Sequence, residues 1–131
     1  MFPKEIEVIL TRHLASCIAL PMFIVDAAGN LVFYNEPAEL LIGRRFEETG
    51  EMAALEWSTL FTFTDENEAP VSPESLPLMI ALVQRRPAYR ALWAMALDGA
   101  RRHIGVTAFP LMGQTERLLG AAAIFWEVPP C

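Results

Sequence analysis

Residues 22–43 constrain the fold of this chain more than any other stretch of the sequence. Two short apolar runs, residues 22–25 and 31–34, flank the segment Asp26-Ala27-Ala28-Gly29-Asn30. Gly29 and Asn30 tolerate positive φ angles, and apolar runs separated by such residues are typical of a tight β-hairpin. The segment therefore predicts two antiparallel strands joined by a turn, with the Asp26 carboxylate bonded to nearby backbone amides.

A short helix is predicted directly after this hairpin. Asn35 is placed to cap its N-terminus, and Pro37 suits its first turn. Gly43 suits the left-handed conformation in which many helices end. The prediction for this stretch is therefore strand, turn, strand and short helix, in that order.

The size and composition of the chain favour one folded domain. It has 131 residues, of which 53% are hydrophobic and 20% are charged, and this is enough apolar surface for a substantial core. The net charge is −6, and the arginines are single or in scattered pairs and form no basic run. Nucleic-acid binding is therefore disfavoured, because it requires a basic footprint.

The sequence shows no sign of a membrane or secretory destination. Its longest uncharged apolar stretch, residues 14–25, is interrupted by Pro21 and is too short to span a bilayer. The N-terminus lacks the order of a signal peptide. Cys17 and Cys131 lie at opposite ends of the chain, fit no metal spacing and are expected to be reduced thiols. We expect a cytoplasmic protein without a membrane partner.

The remainder of the chain divides into helical and extended patterns. Residues 3–19 predict an amphipathic helix, and residues 57–64 predict a strand or an extended loop. Residues 76–86 predict a further helix. Strands are predicted at residues 89–97 and 102–109, joined at Asp98-Gly99, and at 118–126 after a turn over residues 110–114. The pattern indicates an α+β domain with an antiparallel sheet.

The order of these motifs resembles the PAS family of small sensory modules. The opening resembles it at Asp26, Gly29, Tyr34-Asn35, Ala38 and Leu41-Ile42-Gly43, and the second half at the Asp98-Gly99 hairpin and at residues 118–125. Residues 65–78 resemble a PAS subgroup whose members often lie beside bacterial phosphatase, kinase or cyclase effectors. The resemblance implies a five-stranded antiparallel sheet in the order 2-1-5-4-3, with helices on one face enclosing a pocket. It divides the chain into an N-terminal helix (1–20), a PAS domain (21–128) and a tail (129–131).

The resemblance also bears on cofactors. Flavin photochemistry in this family needs a cysteine in an Asn-Cys-Arg setting, and residues 36–90 contain none. Haem members generally place a histidine on the helix before the third strand, which here is the histidine-free helix over residues 76–86. Haem binding and flavin–cysteine photochemistry are therefore disfavoured, and His103 is expected on the strand face that points away from the pocket. No metal site, catalytic residue or enzymatic activity is predicted.

A ligand pocket is the main functional prediction. Its residues are either a binding cavity or plain core, and the sequence leaves both readings open. The small residues Ala121, Ala122 and Ala123 leave room for a ligand or for a closely packed helix, because alternation puts Ala122 on the opposite face from its neighbours. The predicted pocket residues are Phe33, Trp57, Phe61, Met79, Leu82, Val83, Leu92, Ala94, Ile104 and Val106.

The N-terminal helix is predicted to form a homodimer interface through Ile6, Ile9, Leu10 and Leu14, although the same stripe suits a helix that caps its own sheet. The leading hypothesis is a bacterial-type sensory domain that binds a small apolar or amphipathic ligand, a signalling partner protein, or both. The first alternative is a ligand-free dimerisation module. The second is a small α+β enzyme such as an isomerase.

Overall fold

The computed structural model describes residues 6–42, 45–53, 61–72, 75–96, 99, 101–113 and 117–128. Among the helices in these ranges, none combines the length and the apolar character needed to cross a bilayer. The elements, in chain order, are α1 (Ile6–Ala15), β1 (Met22–Asp26), β2 (Leu31–Tyr34), α2 (Glu36–Ile42), α3 (Phe46–Thr49), β3 (Phe61–Thr64), α4 (Pro77–Gln84), β4 (Ala88–Ala96), β5 (Arg101–Met112) and β6 (Leu118–Glu127).

The strands form one antiparallel sheet in the order β2-β1-β6-β5-β4-β3. Without β3, this is the predicted order of five strands. The sixth strand lies within the stretch predicted as strand or extended loop, and it pairs with β4 through Phe63 opposite Ala94 and Thr64 opposite Trp93. The predicted fold class is confirmed, with one additional edge strand.

Strand β5 is longer than predicted. It continues through Pro110 to Met112, where the sequence predicts a turn. Proline is tolerated here because β4 ends its pairing at Ala88 opposite Ala108, so one side of β5 has no neighbouring strand beyond that point. The other side still pairs with β6, where Pro110 lies opposite Ala121.

The β1–β2 turn follows the prediction. The carboxylate Oδ1 of Asp26 accepts hydrogen bonds from the backbone N–H groups of Ala28 (3.0 Å) and Asn30 (2.9 Å), and Gly29 has a φ of 88°. The turn after β3 repeats this arrangement around Asp65, with Glu68 in the left-handed position at a φ of 64°. Two turns of different sequence are therefore built on the same aspartate-centred hydrogen bonds.

The sheet separates two apolar clusters. The inner cluster lies under α2 and α4, and the outer cluster lies under the end of α1. In β5 the side chains of Ile104, Val106 and Ala108 belong to the inner cluster, while Phe109 packs against the outer one. This is the alternation that the sequence predicts for β5, and it places the helices α2 and α4 over a single face.

Helix α1 ends at Ala15, four residues earlier than predicted. The backbone N–H groups of Cys17 and Ile18 instead bond to carbonyls three residues back, which tightens the chain into a turn. The buried Asn35 holds this turn, because its amide Nδ2 donates to the carbonyls of Ala15 (2.9 Å), Ile18 (3.4 Å) and Leu20 (2.9 Å). The N-terminal helix is thus tied directly to the first hairpin.

Candidate functional site

A cavity of about 530 Å³ lies between α4 and the inner face of the sheet. Its volume is in the range of small-molecule sites, which is about 300–1,000 Å³. The sheet, helix α4, the Asp26 turn and the two residues that follow the Asp65 turn all contribute to it. The lining residues are Phe23, Ala27, Ala28, Gly29, Thr62, Phe63, Pro70, Val71, Leu76, Pro77, Leu78, Met79, Leu82, Val83, Leu92, Val106, Ala123 and Phe125.

The floor of the cavity exists because the last strand carries a small side chain there. Ala123 is buried and stands between Phe23 on β1 and Ala108 on β5, so the centre of the sheet presents little bulk. Leu92 and Val106 continue the floor on β4 and β5. A larger residue at position 123 would occupy space that is now part of the cavity.

The rim of the cavity lies at the surface. Val83 is 71% exposed, and Ala27, Ala28 and Pro70 are exposed as well. Both aspartate-centred turns thus lie beside the opening. The cavity is therefore open to solvent at this rim.

The cavity lining is almost entirely apolar. Of the described residues that form it, Thr62 alone has a polar side chain, and none is charged. Neither a histidine nor a cysteine is among them. An arrangement of this kind can hold an apolar molecule by burial of its surface, at about 25 cal/mol per Å². It offers no acid, base or nucleophile of the usual kinds.

No protein-family model and no curated protein matches this sequence. Several solved structures match its fold. The PAS domain of BvgS from Bordetella pertussis superposes with a TM-score of 0.62 at 14% identity, covering 95% of this chain and 87% of that chain. The PAS domain of nitrogen regulation protein NR(II) from Vibrio parahaemolyticus superposes with a TM-score of 0.62 at 17% identity, covering 91% of this chain and 98% of that chain. The LOV protein of Rhodobacter sphaeroides superposes with a TM-score of 0.69 at 13% identity, covering 95% of this chain and 69% of that chain.

The chain has the PAS fold. The sequence resemblance drawn from the hairpin motifs is therefore confirmed at the level of architecture. At sequence identities of 13–17%, these similarities show the fold alone. What the cavity of this PAS-fold chain does must be argued from its own residues.

Half of the predicted pocket residues lie in the cavity lining: Met79, Leu82, Val83, Leu92 and Val106. Ala94 and Ile104 are buried on the same face of the sheet but belong to the packed core beside the cavity. Trp57 lies outside the described residues, and for Phe61 only the backbone, in β3, is described. Some of the predicted residues therefore line the cavity, and others belong to the packed core.

The prediction that Phe33 lines the pocket is wrong. An irregularity in the β1–β2 pairing sets Ile24 opposite Phe33 but Val25 opposite Leu31, so β2 contains one extra residue, Val32. A bulge of this kind reverses the alternation beyond it. Phe33 therefore lies on the outer face, where its ring stands edge-on to Phe46 at 5.2 Å.

Several lining residues were not predicted. Phe23 and Phe125 could have been found from strand pairing and alternation, because Phe23 lies directly opposite Ala123 and Phe125 lies two positions after Ala123 on the same strand. Leu76 and Leu78 lie at the start of α4, where the helical pattern is less clear. No sequence pattern identifies the rim residues, because only the tertiary fold places them beside the cavity. They are Ala27 to Gly29, Pro70 and Val71.

Helix α1 presents an apolar stripe to solvent. Ile9, Leu10 and Leu14 are 40%, 59% and 56% exposed. The side of the helix that packs on the sheet is formed by Val8 and Ala15, which are both buried. The predicted stripe is therefore not the one that caps this sheet, and for Ile6 only the backbone is described.

The outer face over β4 and β5 carries stacked rings. The His103 imidazole stacks on Trp93 with centroids 4.7 Å apart, and the Arg101 guanidinium lies 4.5 Å from the centre of the same indole. Tyr89 stacks on Trp126 at 5.7 Å. The imidazole of His103 is thus on the face away from the cavity, as the alternation predicts.

Proposed function

We propose that this PAS-fold chain is a sensory domain whose cavity binds a small apolar molecule and whose N-terminal helix responds to it. The observation that supports the proposal most is the open apolar cavity of about 530 Å³ beneath α4. A packed dimerisation module would have no need of such a volume, because protein interiors are normally filled to crystal-like density. Binding is favoured over catalysis, since the described lining lacks acidic and basic side chains and so has no base to activate the Thr62 hydroxyl.

Haem and flavin chemistry do not suit this lining. A haem needs an axial ligand such as histidine, and a flavin–cysteine adduct needs a thiol beside the ring. The described lining contains neither, and Cys17 lies exposed after α1 on the other side of the sheet. We therefore propose that the ligand acts through its shape and not through haem ligation or a flavin–cysteine adduct.

The route from cavity to helix runs through one strand. Ala123 lines the cavity, and the adjacent Ala122 belongs to the outer cluster that also contains Ala15 of α1. Because the two alanines are consecutive in β6, a small shift of this strand alters both surfaces together. A ligand can shift the helix only by its difference in affinity for the two arrangements.

The test is a titration with N-phenyl-1-naphthylamine, an uncharged probe that fluoresces in apolar surroundings. The wild-type protein is expected to bind the probe. Ala123→Phe fills the cavity and should weaken probe binding by at least about tenfold, a loss of about 1.4 kcal/mol. Ala91→Phe is the matched control, because Ala91 is exposed on the outer face of β4. Val106→Phe provides a second cavity-filling variant.

The same samples report on signalling. Hydrogen exchange of the α1 amides is expected to change when the probe binds to the wild type and to stay constant in Ala123→Phe. Absence of probe binding to the wild type would contradict the ligand-binding proposal. Binding with unchanged exchange throughout α1 would contradict the proposed route.

A second proposed role is self-association through α1. It is favoured by the exposed stripe of Ile9, Leu10 and Leu14, since contiguous exposed apolar residues are typical of interaction surfaces. In a two-fold dimer the same stripe would be present on both partners. This role is compatible with the sensory one, because a helix that forms an interface is well placed to report a change in the cavity.

A further inference from the structure

The lining of the cavity restricts the charge of its ligand. A phosphate or a carboxylate inside it would need a cation or several N–H donors to replace its hydration. None of the described lining residues is lysine, arginine or histidine, and Thr62 alone offers a side-chain hydroxyl. An anionic group in the cavity would therefore be buried without a partner.

The arginines near the inner face do not make up for this. Arg90 is the nearest along a strand, two residues before Leu92, but it is not in the lining, and its Nη1 donates to Ser75 Oγ at 3.1 Å. Arg102 also lies on this face, two residues before Ile104, but it is not in the lining, and its Nε lies 3.9 Å from Glu127 Oε1. Both side chains already have partners away from the cavity.

The acidic groups at the rim also argue against charged ligands. The carboxylate of Asp26 stands in the turn that lines the opening, and Asp65 stands in the turn that precedes the lining residues Pro70 and Val71, so the charge near the opening is negative and opposes an approaching anion. Their Oδ1 atoms accept backbone N–H groups of their own turns. They are structural acceptors that do not reach the lining, so they do not supply a partner for a buried ligand cation.

We infer that the ligand of this cavity is an uncharged, largely aliphatic or aromatic molecule with at most one or two hydrogen-bonding groups. The inference rests on the proposed ligand-binding function and specifies the ligand class of the same site. An uncharged molecule loses no ionic hydration on entry, and it gains the full benefit of burial against leucine, methionine, valine and phenylalanine side chains.

The experiment displaces bound N-phenyl-1-naphthylamine with three molecules of equal chain length: 1-decanol, decanoate and decyltrimethylammonium. The alcohol is expected to displace the probe, and each ion should be at least about tenfold weaker at neutral pH. The inference is overturned if decanoate or the ammonium compound displaces the probe as effectively as the alcohol does. Displacement by none of the three also overturns it. A wild type that does not bind the probe at all refutes the ligand-binding function itself, which keeps the two failures distinct.

A pair of variants tests the cause. Val83→Lys adds an ammonium group at the exposed rim, and Ala91→Lys adds the same charge on the opposite face of the sheet. Decanoate affinity is expected to rise about threefold or more in Val83→Lys, as for a partly exposed ion pair, and to stay unchanged in Ala91→Lys. An equal gain in both variants would show that decanoate responds to net charge and not to the lining, and no gain in either would show that the missing cation is not what excludes it.

Discussion

The inner and outer faces of the same sheet are completed in different ways. On the inner face, α4 spans the strands and leaves a cavity of about 530 Å³. On the outer face, the end of α1 covers a closely packed cluster over β1, β2, β6 and the last part of β5. The part over β4 carries stacked rings instead, with Tyr89 61% exposed.

The alanines of β6 show what this difference teaches. Ala122 and Ala123 are adjacent, identical and both buried. One makes room for an approaching helix, and the other makes room for a cavity. Small residues therefore permit close approach, but the element on the other side decides whether the space is filled.

The largest expected effect breaks the attachment of α1 to the outer face. Asn35→Ala removes an amide that donates to three carbonyls and accepts from the N–H groups of Met22 (3.0 Å) and Ala38 (3.2 Å). The buried groups left without partners should lower the free energy of unfolding by about 3 kcal/mol or more. Urea denaturation measures this loss, and hydrogen exchange should locate it first in α1.

Asn30→Ala is the matched control, because Asn30 is only partly buried and its side chain donates to Asp26 Oδ2 at 3.3 Å in the first turn. It should cost less than about 1 kcal/mol. Equal losses in the two variants would show that Asn35 does not act as the joint between α1 and the hairpin.

The next effect compares the two faces directly. Ala122→Leu inserts three carbon atoms into the filled outer cluster and should cost about 1–3 kcal/mol, because overpacking forces neighbouring side chains to move. Ala123→Leu inserts the same atoms beside the cavity and should cost less than about 1 kcal/mol. Urea denaturation of both variants measures the difference, and the reverse order of stabilities would mean that the cavity is not open space.

The smallest effect on stability concerns the exposed stripe of α1. Leu14→Lys replaces a side chain that is 56% exposed and should change the free energy of unfolding of the monomer by less than about 0.5 kcal/mol. If the stripe is a dimer interface, sedimentation equilibrium should show a dimer in the wild type and a monomer in this variant. Leu40→Lys is the control, since Leu40 is 83% exposed on α2, away from the stripe. An unchanged mass in Leu14→Lys would contradict the interface.

Much of the fold could be predicted because its signals are local. The Asp26 turn, the cap of α2 by Asn35 and the alternation in β5 each depend on residues close in sequence. The order of strands followed from these motifs together with the family resemblance. Five of the predicted residues lie in the cavity lining for the same reason, because helix and strand periodicity identifies the side of an element that carries its apolar residues.

The remaining errors have non-local causes. Phe33 is on the outer face because of a bulge that only the pairing of β1 with β2 reveals. Pro110 lies within a strand because β4 has ended on that side. Asn35 was recognised as a helix cap, but its bonds to Ala15, Ile18 and Leu20 depend on where α1 lies.

By itself, the sequence determined most of the strands, helices and turns, and which residues on each of them are apolar. These properties follow from backbone preferences and from periodicity within a few residues. The tertiary structure alone decided that the volume above Ala123 remains open while the volume beside Ala122 is filled. That outcome depends on the distance and angle at which α4 and α1 cross the sheet, which are set by contacts between residues far apart in the chain.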